Sequence, residues 1–358
     1  MDPGQPSRQR REHEMTTHYD ALLVLGFGGP ASAEQVGPFL RHITGGRITP
    51  QRMARVSAHY AHFGGVSPLN GQNQRLADEL GARLRARGVD VPVAVAHAHV
   101  APFPDEVLAD LAARGHRRVL ALVPAVYSSY VGCRSYREAL AAAIPSGPDG
   151  APLLEVAKIN PFHDMPAFAD AQAGLLEPVV RAHPDATVLF TTHSLPTGLA
   201  ESSGVGGGAY LAQHRDVIDR ILARLADGGL RPDWRLCYTS QGGAPGDSWL
   251  TPDVNDVIDA LAGEGVGGVV VVSIGFLSDH MEVIWDLDNE AAQTARGHGM
   301  DFRRVPTVGT EPVFLDGLTE LVARGLAEED RRGDDDCGGD DCCPNPGGAA
   351  PAVKGVTP

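Results

Sequence analysis

No stretch of this 358-residue chain approaches the roughly 18 consecutive apolar residues of a membrane-crossing helix, which argues against an integral membrane segment. The opening MDPGQPSRQRREHEM has the basic flank of a signal peptide. The apolar segment after it, 21–27, is short and strand-like, and it runs into Gly28-Gly29-Pro30 without a small-residue cleavage site. Residues 1–17 therefore read as a disordered leader, and the protein as cytoplasmic. Cysteine is scarce: five in the chain, too few for a disulfide framework at this size without a secretory signal. Basic residues are outnumbered, 30 against 45 acidic, and the net charge of −15 argues against nucleic acid or an anionic membrane surface as partner. Aromatics make up only 6%, whereas 43 glycines and 43% hydrophobic residues fit an Ala/Val/Gly-rich globular protein. No glycine segment has the G-x-G-x-x-G spacing of a dinucleotide fingerprint, and no phosphate-loop pattern occurs.

What is present is an alternation of strand and helix patterns. Unbroken apolar runs such as 269–274 read as strands buried on both faces, as in a parallel sheet covered by helices. In the first half, HYDALLVLGFGGPAS, VPVAVAHAHVAP and RRVLALVPAVYSSY supply three strands separated by helical segments. In the second half, strands are expected at 153–159, 186–192, 234–240, 269–274 and 303–306. The turn-rich SGPDGAP over 146–152 marks a linker. The expected fold is α/β, with two Rossmann-like lobes, 18–150 and 151–310, each a parallel sheet flanked by helices, and a cleft between them. A closing helix over 311–327 and an acidic tail over 328–358 complete the chain.

Ligands in open α/β sheets bind beyond the carboxyl ends of the strands, and several strand ends here carry reactive groups. Past 269–274 a helix is expected from about Asp279. In it Glu282, Asp286 and Glu290 fall at i, i+4 and i+8, a column of carboxylates about 6 Å apart beside His280. Hard oxygen ligands there suit a divalent cation. The plainer alternative is a capping box from Asp279 and Glu282 followed by a solvated helix face. His193 ends the strand in LFTTHSLP, where an imidazole can bind a metal or take a proton near neutrality, or simply bond into its loop. His99 ends a strand of the first half, with His97 packed beside it. Tyr127, Ser128, Ser129 and Tyr130 could hydrogen-bond a ligand's carboxylates or merely finish a strand. Arg47, in a glycine-flanked loop, is a candidate anion anchor. His59, Tyr60 and His62 suit a structural or rim position.

The tail places Cys337, Cys342 and Cys343 within seven residues of otherwise coreless chain. Three thiolates and a fourth would make the set that zinc or an iron–sulfur cluster requires, and the spacing alone does not choose between them. Cys133, past a strand end, is the preferred fourth. Cys237, inside WRLCYTSQ, reads as a small buried hydrophobe. An unligated, disordered terminus is the alternative.

The segments LGFGGP, HYAHFGGVSPLN, VYSSYVGC, TTHSLP, TSQGG…WLTPDV and GFLSDHMEVIWDLDNE, in that order across 18–325, resemble ferrochelatase. TTHSLP and SDHMEVIWDLD are its most specific motifs. The likeness is to the actinobacterial type, which carries a C-terminal iron–sulfur cluster. This resemblance implies two lobes around a porphyrin cleft and insertion of Fe(II) into the macrocycle with release of two protons. It places His193 and Glu282 at the metal and proton site, with Asp279, His280, Asp286 and Glu290 in an acidic path behind them. It implies Cys133, Cys337, Cys342 and Cys343 as ligands of a 2Fe–2S cluster, and Arg47, Ser67, His99 and Tyr127 against the porphyrin. Gly28-Gly29-Pro30-Ala31 stands where several bacterial members have Gly-Thr-Pro-Tyr, so their iron-coordinating tyrosine is not assigned here. Coproporphyrin III, in haem biosynthesis, is the favoured substrate and protoporphyrin IX the second. A non-catalytic iron or haem carrier is the reading from another class, and a monomer is expected.

Overall fold

The computed structural model describes residues 17–242, 248–327, 337–339 and 341–358, so the expected leader lies outside it apart from Thr17. The strands are β1 (Ala21–Gly26), β2 (Val93–His97), β3 (Arg118–Leu122), β4 (Glu155–Ile159), β5 (Thr187–His193), β6 (Trp234–Thr239), β7 (Gly268–Ser273), β8 (Asp301–Val305) and β9 (Lys354–Val356). They form two parallel sheets, ordered β2-β1-β3-β4-β9 and β6-β5-β7-β8. The fold is α/β, with helices on the faces of both sheets.

The apolar runs are continuous because each central strand feeds two cores. In β1, Leu22 and Val24 enter one core while Ala21, Leu23 and Leu25 enter another. In β7, Val270 and Val272 join the same core as Leu22, whereas Val269 and Val271 enter a third. One core is thus shared by the facing sides of both sheets. Helices Pro166–Ala182 and Pro312–Leu326 fill it with Phe168, Leu176, Phe314 and Leu318, all completely buried. Each such side chain contributes about 1.5–3 kcal/mol by leaving water.

Three expectations need correction. The lobe boundary does not fall at 150, because β4 pairs with β3, from Arg118↔Glu155 to Ala121↔Lys158, and belongs to the first sheet. SGPDGAP is a turn closed by the Gly147 amide donating to the Ala151 carbonyl, so its composition marks a reversal and not a domain linker. The closing helix packs on both Leu69–Ala86 and Pro166–Ala182, and so is common to the two lobes. The end of the tail is not coreless. β9 pairs with β4 and covers what would be an open sheet edge, with Val353 and Val356 buried. No helix among the described residues is long and apolar enough to cross a membrane.

Candidate functional site

β5 and β7 are neighbours, in register from Thr187↔Val269 to Thr191↔Ser273, so the chain leaving each meets the other at the carboxyl edge. Gly275 makes this approach possible, since a Cβ there would overlap Thr192. His193, the last residue of β5, faces Glu282 with Nε2 and Oε1 3.7 Å apart. That is ion-pair distance, too long for a direct hydrogen bond. Its Nδ1 donates to the Ser194 carbonyl, which leaves Nε2 as the nitrogen that faces the cleft. Side-chain exposures of 32% and 46% leave both groups open to water.

The charges at this edge divide unequally. Burial pulls the His193 imidazole down, but Glu282, the Ser194 carbonyl and Asp286 together outweigh it, and the net direction is up. Burial likewise works against the Glu282 carboxylate, yet His193 holds it at about 2. Asp286 goes the other way: burial and then repulsion from Glu282 push it up to about 7. His280, between Phe276 and the acidic segment, is held down chiefly by burial.

The acidic segment is not the regular α-helix its spacing suggests. A short turn, Met281–Val283, opens into a π-helical stretch, Ile284–Ala291, before α-helix resumes at Ala292–Gly297. Bonds of the i→i+5 type bring residues five apart onto one side. Trp285 Nε1 accordingly donates to Glu290 Oε1 at 2.8 Å. Asp279 does not join a path of free carboxylates. Arg304, on β8, donates from Nη1 to Asp279 Oδ1 at 2.7 Å and from Nη2 to Asp288 Oδ2 at 2.9 Å. One guanidinium thus grips the segment on both sides of Glu282 and Asp286. The capping box is absent too, for the helix starts at His280 without a side-chain cap.

Residues outside the expected set also build the site. Ser240, just past β6, donates its hydroxyl to Asp286 and sits at φ 63°, a left-handed backbone that a non-glycine residue adopts only under constraint. It lies within TSQGG, so the motif was legible but this residue's task was not. Helix Pro50–His62 buries none of its residues yet reaches the second lobe: His59 stacks on Trp285, centroids 3.9 Å apart and planes within 12°. Burial and the Glu282 charge push the Tyr60 phenol upward, and the His59–Trp285 stack sets this helix beside the acidic segment. Gln72 closes the same seam, donating to the Asp279 carbonyl at 3.1 Å.

The residues expected against a porphyrin have different fates. Arg47 is exposed in its loop, its Nε near the Thr44 carbonyl. His99 packs between Phe27 and His42, with ring centroids 4.3 and 5.4 Å away, and burial lowers it to about 4, so it is neutral near pH 7. Ser67 is buried against Gly29, and its hydroxyl accepts from the Leu69 amide at 3.3 Å. Tyr127 contradicts the expectation. It is buried, stacked on His214 at 3.5 Å, and donates its hydroxyl to the Ile274 carbonyl at 3.1 Å. Ser128 exchanges hydrogen bonds with Gln213, from its amide at 2.7 Å and to its hydroxyl at 2.9 Å. This polar cluster fastens the lobes together, which alternation along one strand could not reveal.

The tail cysteines form a second centre. Ligand atoms of Cys337, Cys342 and Cys343 all lie within 4.8 Å of one another. Cys133 reaches Cys337 from the first lobe, while the Gly204 amide of the second lobe donates to Cys343 Sγ at 3.1 Å. Contact with Cys337 and Cys343 holds the Cys342 thiol low, at about 3, whereas the bond to Cys337 and burial hold Cys133 high. Cys237 is excluded, packed inside β6 with Sγ 3.7 Å from the Phe190 carbonyl. The three tail cysteines therefore form a group that could hold a metal, with Cys133 of the body beside Cys337.

Comparison with known proteins agrees with this geometry. The ferrochelatase family profile matches residues 19–326. A relative from Propionibacterium freudenreichii subsp. freudenreichii, named coproporphyrin III ferrochelatase, is 53% identical over 92% of this chain and 95% of its own. One of the same name from Streptomyces griseus subsp. griseus is 41% identical, covering 89% and 88%. A protein named ferrochelatase from Rhodopirellula baltica is 38% identical, covering 87% of each chain. Among solved structures, SirB from Bacillus subtilis with Fe3+ shares the fold at a TM-score of 0.52 and 12% identity, over 86% of this chain and 95% of its own. The chain belongs to the ferrochelatase family.

Proposed function

We propose that this protein inserts Fe(II) into coproporphyrin III, yielding iron coproporphyrin for haem biosynthesis, and that His193 and Glu282 carry the reaction. The single observation behind this is the imidazole at the end of β5 facing a water-accessible carboxylate on the segment that follows β7. The relatives named for coproporphyrin III favour that substrate. Arg47 is a cation at an exposed loop suited to a carboxylate of the macrocycle.

The chemistry requires two pyrrole protons to leave as iron enters. His193 Nδ1 is committed to Ser194, so only Nε2 exchanges protons or touches metal. The Glu282 carboxylate beside it raises the proton affinity of Nε2, which suits it to accept a pyrrole proton as imidazolium. The approach of Fe(II) disfavours that imidazolium and frees the Nε2 lone pair. Asp286, pushed up to about 7, takes the released proton onward at the working pH. The helix Pro50–His62, stacked on Trp285 beside the acidic segment, would offer a surface where binding energy could pucker the macrocycle and expose its nitrogens.

The four-cysteine pocket fits a 2Fe–2S cluster. Its thiolates would come from Cys133, Cys337, Cys342 and Cys343, and the bound group would supply a cross-link between tail and body with no part in insertion. Five free cysteines suit a reducing cytoplasm, and one chain provides every residue invoked, consistent with a monomer. Anaerobic incubation with Fe(II) and each porphyrin tests the reading. Catalytic turnover of coproporphyrin III is expected. Preference for protoporphyrin IX would replace the substrate, and stoichiometric binding without turnover would leave a carrier.

A further inference from the structure

Lysine occurs only twice in this chain, and Lys158 on β4 is buried, with 1% of its surface exposed. Its Nζ lies 2.7 Å from the Ile159 carbonyl and 3.4 Å from Cys133 Sγ. Among the described residues no carboxylate pairs with it. Arg137, 2% exposed, is in the same position: its guanidinium donates to the carbonyls of Val353, Gly339 and Gly338, at 2.7, 3.0 and 2.6 Å, beside Cys337. Arg134 differs, because Glu138 answers it at 3.0 Å. Among the described residues, two cations without carboxylates thus border the cysteine pocket. A buried charge without an opposite charge is costly enough to be avoided in folded proteins. Among the described residues, the opposite charge within reach of Lys158 is on sulfur.

We propose that Lys158 is the counter-ion of the four-cysteine pocket, giving Cys133 Sγ a charged hydrogen bond and, with Arg137, balancing the negative charge its thiolates carry. In its 2Fe–2S form the inference rests on the cluster reading above. An oxidised two-iron, two-sulfide group on four thiolates carries two net negative charges, matched by these two cations. One electron from a reductant such as dithionite converts one ferric ion to ferrous and adds a third negative charge, which the Lys158 ammonium favours. Lys158 also pairs with Gly355 of β9, so the charge match and the docking of the tail meet at one residue.

The test compares the wild-type protein with Lys158→Met and Lys158→Arg, all purified anaerobically. Iron and acid-labile sulfide in the wild type decide the cluster reading on their own. The counter-ion is tested separately, by thermal unfolding before and after chelator stripping. Stripping is expected to lower the wild-type midpoint more than that of Lys158→Met, because only the wild type keeps a buried ammonium without its anion. Equal losses overturn the proposal, whatever the pocket holds. Where iron and sulfide are present, Lys158→Met shifts the oxidised-to-reduced ratio at fixed potential at least tenfold towards oxidised, about 59 mV for one electron. Lys158→Arg restores the wild-type value, and an unchanged potential in Lys158→Met overturns the assignment. Should Lys158→Met not accumulate, Lys158→Gln provides the same two measurements.

Discussion

The cleft and the cysteine pocket both hold groups whose chemistry suits a metal, and they are built in opposite ways. In the cleft, His193 and Glu282 stay 3.7 Å apart and open to water, one at the end of β5 and the other on the segment after β7. In the pocket, Cys133, Cys342 and Cys343 are buried, two cations are sealed in beside them, and a strand closes over the sheet edge. Water access lets ligands exchange metal and protons, as a site must if its metal is cargo. Exclusion of water makes an anionic group expensive to remove, as suits a resident one. The comparison separates transfer from tethering within one chain.

The sharpest way to break this comparison is His193→Ala. Turnover should fall by roughly 10²–10⁴-fold, the usual range for a lost acid–base group, while porphyrin affinity measured by absorbance titration stays within tenfold. Near-normal turnover would remove His193 from the mechanism. Cys133→Ser should strip the visible absorbance and leave Lys158 buried without an anion, costing about 3–5 kcal/mol in denaturant unfolding. A variant that keeps its absorbance would take Cys133 out of the ligand set. Arg304→Met loosens the grip on Asp279 and Asp288, so kcat should drop by about tenfold with KM little changed, and Arg304→Lys should recover part of it. Equal kinetics in all three proteins would make Arg304 a surface ion pair.

Asp286 sharpens the cleft side through pH. Its carboxyl is raised to about 7, so the folded protein holds a proton that the unfolded chain has already lost above the ordinary aspartate range. The stability this gives is present at low pH and disappears as pH rises through about 7. Asp286→Asn should therefore gain on the wild type between pH 5.5 and pH 8, by about 1–2 kcal/mol after screening by cleft water. No change in the difference would mean that Asp286 is not raised. The smallest effect is expected from Tyr127→Phe. Losing the bond to the Ile274 carbonyl should cost about 1 kcal/mol of stability and leave porphyrin affinity unchanged. Weakened porphyrin binding would return Tyr127 to the cleft.

Much of the fold was readable as a sequence of elements. Runs such as ALLVLG and VVVV can be stable only where both faces are covered, so parallel sheets followed from composition alone. The end of β5 and the acidic segment were legible for the same reason, since strand ends are where such chains place ligands. Pairing was less so. SGPDGAP looked like a boundary because turn residues mark reversals, and nothing local says whether a reversal stays within one sheet. Tyr127 was misplaced because a strand-end tyrosine reads alike whether it meets a ligand or another lobe. Ser240 and Arg304 passed unnoticed because their partners lie 46 and 25 or fewer residues away along the chain.

The amino-acid sequence by itself determined which residues could do chemistry here: a histidine and carboxylates at strand ends, three thiols in a short tail, and strands too apolar to face water. Tertiary structure alone decided their company. It set β5 beside β7, wound the acidic segment into a π-helix, and brought Cys133 and Lys158 to the tail cysteines. The physical reason is that propensity and periodicity act within a few residues. Ion pairing, burial of charge and sheet register are set by neighbours that folding brings together from far along the chain.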